Sequence, residues 1–186
     1  MKITKILTAL AITAGMTGSI FAQNLIENAG FENGLDTWET PNWKLPGNLT
    51  WLIPQLDNTT SHGKNDKNSM RMEFVENKRV HIVYKKTITL PADKNDFTVS
   101  FWTKSTGYSD ATKGQCFVQL HFPNVNKRDQ AISYWNKNQP DWTQFSKDFK
   151  VPEKSDRKVR VIIGIHGYKN KAGTTWIDDI YLGPKK

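Results

Sequence analysis

Several side chains that alternate with apolar residues along extended stretches carry the chemistry needed to hold a sugar. Trp102 and Lys104 stand on the opposite parity to Phe97, Val99 and Phe101. Phe117, Gln119 and His121 alternate with Cys116, Val118, Leu120 and Phe122. His166 and Tyr168 alternate with Val159, Val161, Ile163 and Ile165, and His81 with Val80 and Ile82. A pyranose offers a patch of C–H to an aromatic plane, and its hydroxyls need fixed donors and acceptors around the rim. Rings interleaved with amides, imidazoles and an ammonium group supply both. Read together, these positions are expected to form one carbohydrate-binding surface, and burying one aromatic against a sugar contributes on the order of a few kcal/mol.

Catalysis has weaker support. Glycoside hydrolysis needs a pair of carboxyl groups flanking the scissile bond. Glu73, Glu76, Asp110, Asp129 and Asp141 instead fall near turns. No nucleophile elbow or Ser/His/Asp arrangement stands out. A small glycoside hydrolase or polysaccharide lyase remains the alternative, and it requires His121 or His166 within hydrogen-bond reach of Tyr168 or of a carboxylate. A surface adhesin is a further alternative, and it would present a flat apolar patch instead of a groove.

The elements that position these residues are strands. Period-two segments recur with Gly, Pro, Asn and Asp between them, the pattern of an all-β sandwich or barrel. Strands are expected over Asn24–Ile26, Trp51–Pro54, Ser69–Phe74, Val80–Leu90 with a bulge at Lys85-Lys86, Phe97–Ser105, Gln115–Phe122, Ala131–Trp135, Trp142–Val151, Lys158–Tyr168 and Thr174–Leu182. The apolar parities of these segments are the core, which makes Cys116 a small buried hydrophobe. Trp38 and Trp142 read as core and corner residues. Trp43, Trp51, Tyr108, Tyr134 and Trp135 fall in loops or at strand ends, where they either rim a cleft or fold back onto the core.

Residues 1–22 read as a secretory signal: Lys2 and Lys5 precede an apolar stretch, and Ser19-Ile20-Phe21-Ala22 ends on a small residue. Export without a transmembrane segment is expected, leaving residues 23–186 as one domain of roughly 160 residues with a core of its own. The chain has a net charge of +8, and losing Lys2 and Lys5 lowers it to +6. The basic residues are scattered, which with export argues against nucleic acid. With Cys116 as the single cysteine, no internal disulfide can form, so the core must supply the stability, helped by any bound metal.

Two segments bracket the domain. Asn24-Leu25-Ile26-Glu27-Asn28-Ala29-Gly30-Phe31-Glu32-Asn33-Gly34 opens it, with Trp38 beyond, and Thr174-Thr175-Trp176-Ile177-Asp178-Asp179-Ile180-Tyr181-Leu182 closes it. Between them stand Phe97-Thr98-Val99-Ser100-Phe101-Trp102-Thr103-Lys104, the Trp142 to Pro152 segment, and His62 to Met72, which has two residues between Gly63 and Ser69 beyond the strand entry that it resembles. On these motifs the chain resembles the CenC-like carbohydrate-binding modules of families 4, 9 and 22. The resemblance implies a jelly-roll β-sandwich of two antiparallel sheets and a non-catalytic polysaccharide- or oligosaccharide-binding module working alongside glycoside hydrolases. It also implies a structural Ca²⁺ held by the Glu32 side chain, Asp178 and a carbonyl near Gly30, with Asp179 the competing choice of aspartate. Hard oxygen donors in flexible geometry suit that ion.

Overall fold

A computed structural model describes residues 23–39, 55–74, 80–108, 114–135, 138–167 and 173–186. Nine strands are described: β1 (Gln55–Asp57), β2 (Ser69–Phe74), β3 (Val80–Thr89), β4 (Asp96–Thr106), β5 (Gly114–Phe122), β6 (Lys127–Trp135), β7 (Gln139–Lys150), β8 (Lys158–Gly167) and β9 (Gly173–Pro184). They form two antiparallel sheets, ordered β1-β2-β9-β4-β7 and β3-β8-β5-β6. The expected all-β sandwich is therefore the fold. No helix among the described residues is long and apolar enough to cross a membrane.

Alternation builds the core between the sheets. Phe97, Val99 and Phe101 from β4, Ile177, Ile180 and Leu182 from β9, and Met70 and Met72 from β2 are buried from one side. Cys116, Val118, Leu120 and Phe122 of β5 and Val159, Val161 and Ile163 of β8 are buried from the other, as their parity predicts. Directly opposed rings reinforce the β4–β7 pairing: Phe97 stacks on Phe149 at 5.8 Å and Phe101 on Phe145 at 5.7 Å. Trp38 is buried against Phe31, as expected, and Tyr108 folds inward to hydrogen-bond Thr175 Oγ1 at 2.8 Å.

Two expectations need correction. Asn24–Ile26 is not a strand. Its place beside β9 is taken by the Leu25 N–H donating to the Leu182 carbonyl at 2.7 Å and by the Asn24 side chain, which donates to the Ile180 carbonyl and accepts from the Leu182 N–H. The Lys85-Lys86 bulge is absent, since β3 pairs with β8 without interruption from Val80 to Thr89. Shifts in register fall instead between β4 and β7, between β5 and β6, and between β4 and β9, where Ser100 opposes Tyr181 but Trp102 opposes Asp178. An extra residue is accommodated there, with Asp179 at φ 46, a left-handed conformation that aspartate tolerates. The expected Trp51–Pro54 strand lies outside the described residues.

Candidate functional site

The proposed binding residues divide between the two outer faces of the sandwich. On the four-stranded sheet, one line of register runs His81, His166, Gln115 and Trp135 across β3, β8, β5 and β6. The next line along β5 sets Phe117 between Gly164 and Ser133, and the one after sets Gln119 between Ile162 and Ala131. His121 follows, opposite Arg160. Phe117 and Gln119 are half-buried and His121 is buried at the end of the row. Gly164, opposite Phe117 on β8, is itself buried. Tyr168 lies outside the described residues, as do the side chains of His81 and His166.

Trp102 and Lys104 belong to the other outer face, on the five-stranded sheet. Alternation fixed their parity within β4 correctly but could not reveal which sheet β4 joins. Across that face, Gln55, Arg71, Trp176 and Lys104 oppose one another on β1, β2, β9 and β4. The Lys104 ammonium lies 5.4 Å from the Trp176 ring centre and 5.8 Å from that of Trp142, so one cation bridges two indoles. Trp142 is thus half-buried on the outer surface, not at a core corner. Its parity opposite to Phe145 and Phe149 was the signal. The Trp176 indole N–H donates to Asp57 Oδ2 at 2.7 Å. Burial opposes ionisation of Asp57, but this bond and those from Thr59 outweigh it and hold the carboxyl below its usual range.

Sequence reasoning missed His62. Its ring stacks on Trp102 with centroids 3.9 Å apart and planes 17° from parallel, and meets Trp142 edge-on at 5.8 Å. The imidazole is held by Nδ1 lying 2.6 Å from Asp179 Oδ2, and its backbone N–H donates to Asp178 Oδ2 at 2.8 Å. A loop residue clamped by side chains far along the chain leaves no periodic trace in sequence.

The aspartates meet the opening turn as the bracketing motifs suggested. The Ile180 N–H donates to the Ala29 carbonyl at 3.1 Å. A Cβ on Gly30 would lie 3.4 Å from Asp179 Oδ1 and 3.5 Å from Asp178 Oδ1. Glu32 Oε1 accepts from the backbone N–H groups of Lys67 and Asn68 at 2.8 and 2.9 Å. Asp178 is fully buried, and burial, then the charges of Asp179 and Asp66, push its carboxyl up to about 7 against the hydrogen bonds from His62 and Asp179. Burial and the neighbouring Asp179 and Glu32 also raise Asp66. Among the described residues no three His, Cys, Asp or Glu side chains gather closely enough to hold a metal by themselves.

No protein-family model matches the sequence, and no curated protein matches it. Solved structures do match in fold. A family 61 carbohydrate-binding module, TmCBM61, in complex with β-1,4-galactotriose superposes with a TM-score of 0.60 at 13% identity, covering 88% of this chain and 100% of that one. The CBM22-1 xylan-binding domain of Paenibacillus barcinonensis Xyn10C gives 0.54 at 13% identity, covering 89% and 96%. The enzymatically active domain of bacteriophage CBA120 tailspike protein 4 gives 0.63 at 11% identity over 87% of this chain, which spans only 21% of that one. The fold is therefore the jelly roll of carbohydrate-binding modules, and identities this low carry the fold alone.

Proposed function

We propose that this protein is an exported, non-catalytic module that binds a polysaccharide or oligosaccharide on the outer face of its four-stranded sheet. The observation that carries this reading is the register that sets Gln115, Phe117 and Gln119 of β5 on successive lines across the sheet, the first of them shared with His81 and His166. One ring with amide and imidazole positions around it suits the C–H and hydroxyl faces of a pyranose. The two matched modules described by their glycan ligands, β-1,4-galactotriose and xylan, lend support through a shared fold. In this reading residues 1–22 direct export, and the module serves separate glycoside hydrolases.

A structural calcium ion belongs to the same proposal. A fully buried carboxylate with two further acids nearby suits a hard cation. Asp178 and Glu32 would each offer side-chain oxygen, with backbone carbonyls near Gly30 completing the sphere. Bound there, the ion would supply positive charge at the joint between the opening turn and β9.

Affinity electrophoresis of residues 23–186 through gels containing xylan, β-1,4-galactan, β-glucan or alginate tests the function. Retardation by at least one polymer is expected, with Phe117→Ala weakening it about tenfold or more while melting stays within a few degrees of wild type. Unchanged retardation of the Phe117→Ala protein would remove this face from the reading.

A further inference from the structure

The five-stranded sheet carries a groove that the proposed function does not use. It encloses about 580 Å³ between Trp102 and Gln144 at one end and the Asp148–Lys185 pair at the other, with Tyr181 along one side. A volume of this order is typical of small-ligand sites. The groove exists because adjacent strands present small side chains in its floor: Thr98 and Ser100 on β4 and Ser146 on β7. Taller neighbours form its walls.

Its floor offers accessible polar groups. Ser100 is only 6% exposed, lines the groove and makes no side-chain hydrogen bond among the described residues. Ser100 Oγ is not one of the fully buried, unpartnered polar atoms, so the hydroxyl opens into the groove, where the donors and acceptors of a ligand can reach it. Gln144 and Ser146 likewise make no side-chain hydrogen bond among the described residues. The ring at the groove's end is already oriented, because His62 stacks on Trp102 at 3.9 Å and is itself tied to Asp179. A preoriented ring costs less to engage.

The charges say what the ligand is. Asp148 Oδ2 is 2.6 Å from Lys185 Nζ, and its Oδ1 accepts from the Thr98 hydroxyl at 2.7 Å. Asp179 is engaged by His62 at 2.6 Å. The acids are thus matched locally, and a cationic ligand would have to break these pairs beside Lys185 and Lys186. An uncharged, hydroxyl-rich ligand with an apolar face does not.

We propose that this groove is a second saccharide site, taking a neutral oligosaccharide segment with one sugar ring against Trp102 and hydroxyls on Ser100, Gln144 and Ser146. The inference goes beyond the proposed function and stands on different residues. Because the two sites lie on opposite faces of one sandwich, the domain can hold two glycan chains at once and bridge them, gaining avidity without new contacts.

Isothermal titration with xylohexaose, cellohexaose and β-1,4-galactotriose tests this. Two equivalents of one probe per protein are expected. Trp102→Ala is expected to weaken one of them tenfold or more, and Ser146→Phe, which fills the groove from an exposed position, to remove it. Phe117→Ala should remove the other and leave the groove intact. Light scattering of a soluble polysaccharide of the same sugar should rise with wild type and not with either the Ser146→Phe or the Phe117→Ala protein. A single equivalent abolished by Phe117→Ala and untouched by Ser146→Phe overturns the groove site and leaves the proposed function standing. A single equivalent with the reverse sensitivity upholds the groove site and defeats the four-stranded face. Absence of binding by all three probes overturns the groove.

Discussion

Without divalent cation, the protein is expected to lose stability as pH rises from 4 to 7, and Asp178→Asn is expected to abolish most of that loss. Asp178 is fully buried, and its carboxyl is held at about 7 instead of its ordinary 3.8. An acid whose folded pKa is raised keeps its proton in the folded state while the unfolded chain has already released it. Its stabilising contribution is therefore complete below pH 4, falls through the interval, and is gone above 7. A change of this size corresponds to roughly 4 kcal/mol. For a domain of this length each kcal/mol moves Tm by about 2–4 °C, so the fall is about 8–16 °C. Asp66, Asp179, Glu32 and His62 share the site, and Asp66 adds in the same direction. The asparagine keeps one acceptor for the N–H groups of His62 and Asp179, losing about 1–3 kcal/mol of hydrogen bonding while shedding the charge. In chelator at pH 8 the variant is thus expected to melt at or above wild type, and in millimolar calcium below it, because calcium favours the ionised wild-type site. Thermal melts of both proteins at pH 5 and pH 8, in EDTA and in calcium, decide the matter. Parallel pH profiles in EDTA would show that Asp178 is not the group, and a wild-type Tm indifferent to calcium at pH 8 would refute the ion.

Asn24→Ala removes three hydrogen bonds, to the Ile180 carbonyl and from the N–H groups of Ile26 and Leu182, and is expected to cost on the order of 2–3 kcal/mol. Asn24→Asp, which keeps the acceptor, should fall between it and wild type in urea denaturation; equal stability of all three would show that the opening segment is not tied to β9 in this way. Gly173→Ala would set a Cβ 2.5 Å from the buried Tyr108 ring and is expected to cost about 1–3 kcal/mol. Combining it with Tyr108→Leu should cost less than the two single changes added together, and strict additivity in the same denaturation series would remove the steric explanation.

The elements were legible in sequence where one local pattern dictated them. Val159, Val161 and Ile163 alternate with polar or half-buried neighbours because β8 packs one face on the core, and the period of two survives in the sequence. Even the break in β9 left a mark, since buried Ile177 and Ile180 are three residues apart where an unbroken strand would keep them at two or four. Asn24–Ile26 misled because a side-chain amide imitates a strand's backbone pairing, which composition cannot distinguish from a strand. The site was legible only within strands. Parity says that Trp102 opposes Phe101, and likewise that Phe117 opposes Cys116, but joining the two into one surface requires knowing that β4 and β5 lie in the same sheet. They do not. Sheet membership is set by long-range pairing, so residues with matching chemistry were assigned to one surface when they lie on opposite ones.

The joint between the opening turn and β9 is mechanically coupled to the groove, and this gives a consequence that neither has alone. His62 donates its backbone N–H to Asp178, sets its Nδ1 against Asp179, and lays its ring on Trp102. Any ion held at Asp178 would therefore fix the loop that orients the groove's aromatic end, through the His62 ring stacked 3.9 Å from that of Trp102. Phe117 lies on the other sheet and shares none of these contacts. Chelation is accordingly expected to weaken saccharide binding at the groove while sparing the four-stranded face, and by linkage groove ligands should tighten calcium by the same factor. Titration of the Phe117→Ala and Ser146→Phe proteins with one oligosaccharide, in EDTA and in calcium, separates the two faces. Equal calcium dependence of both sites would mean that the ion acts only through global stability, and the stack of His62 on Trp102 would then be packing without a role in recognition.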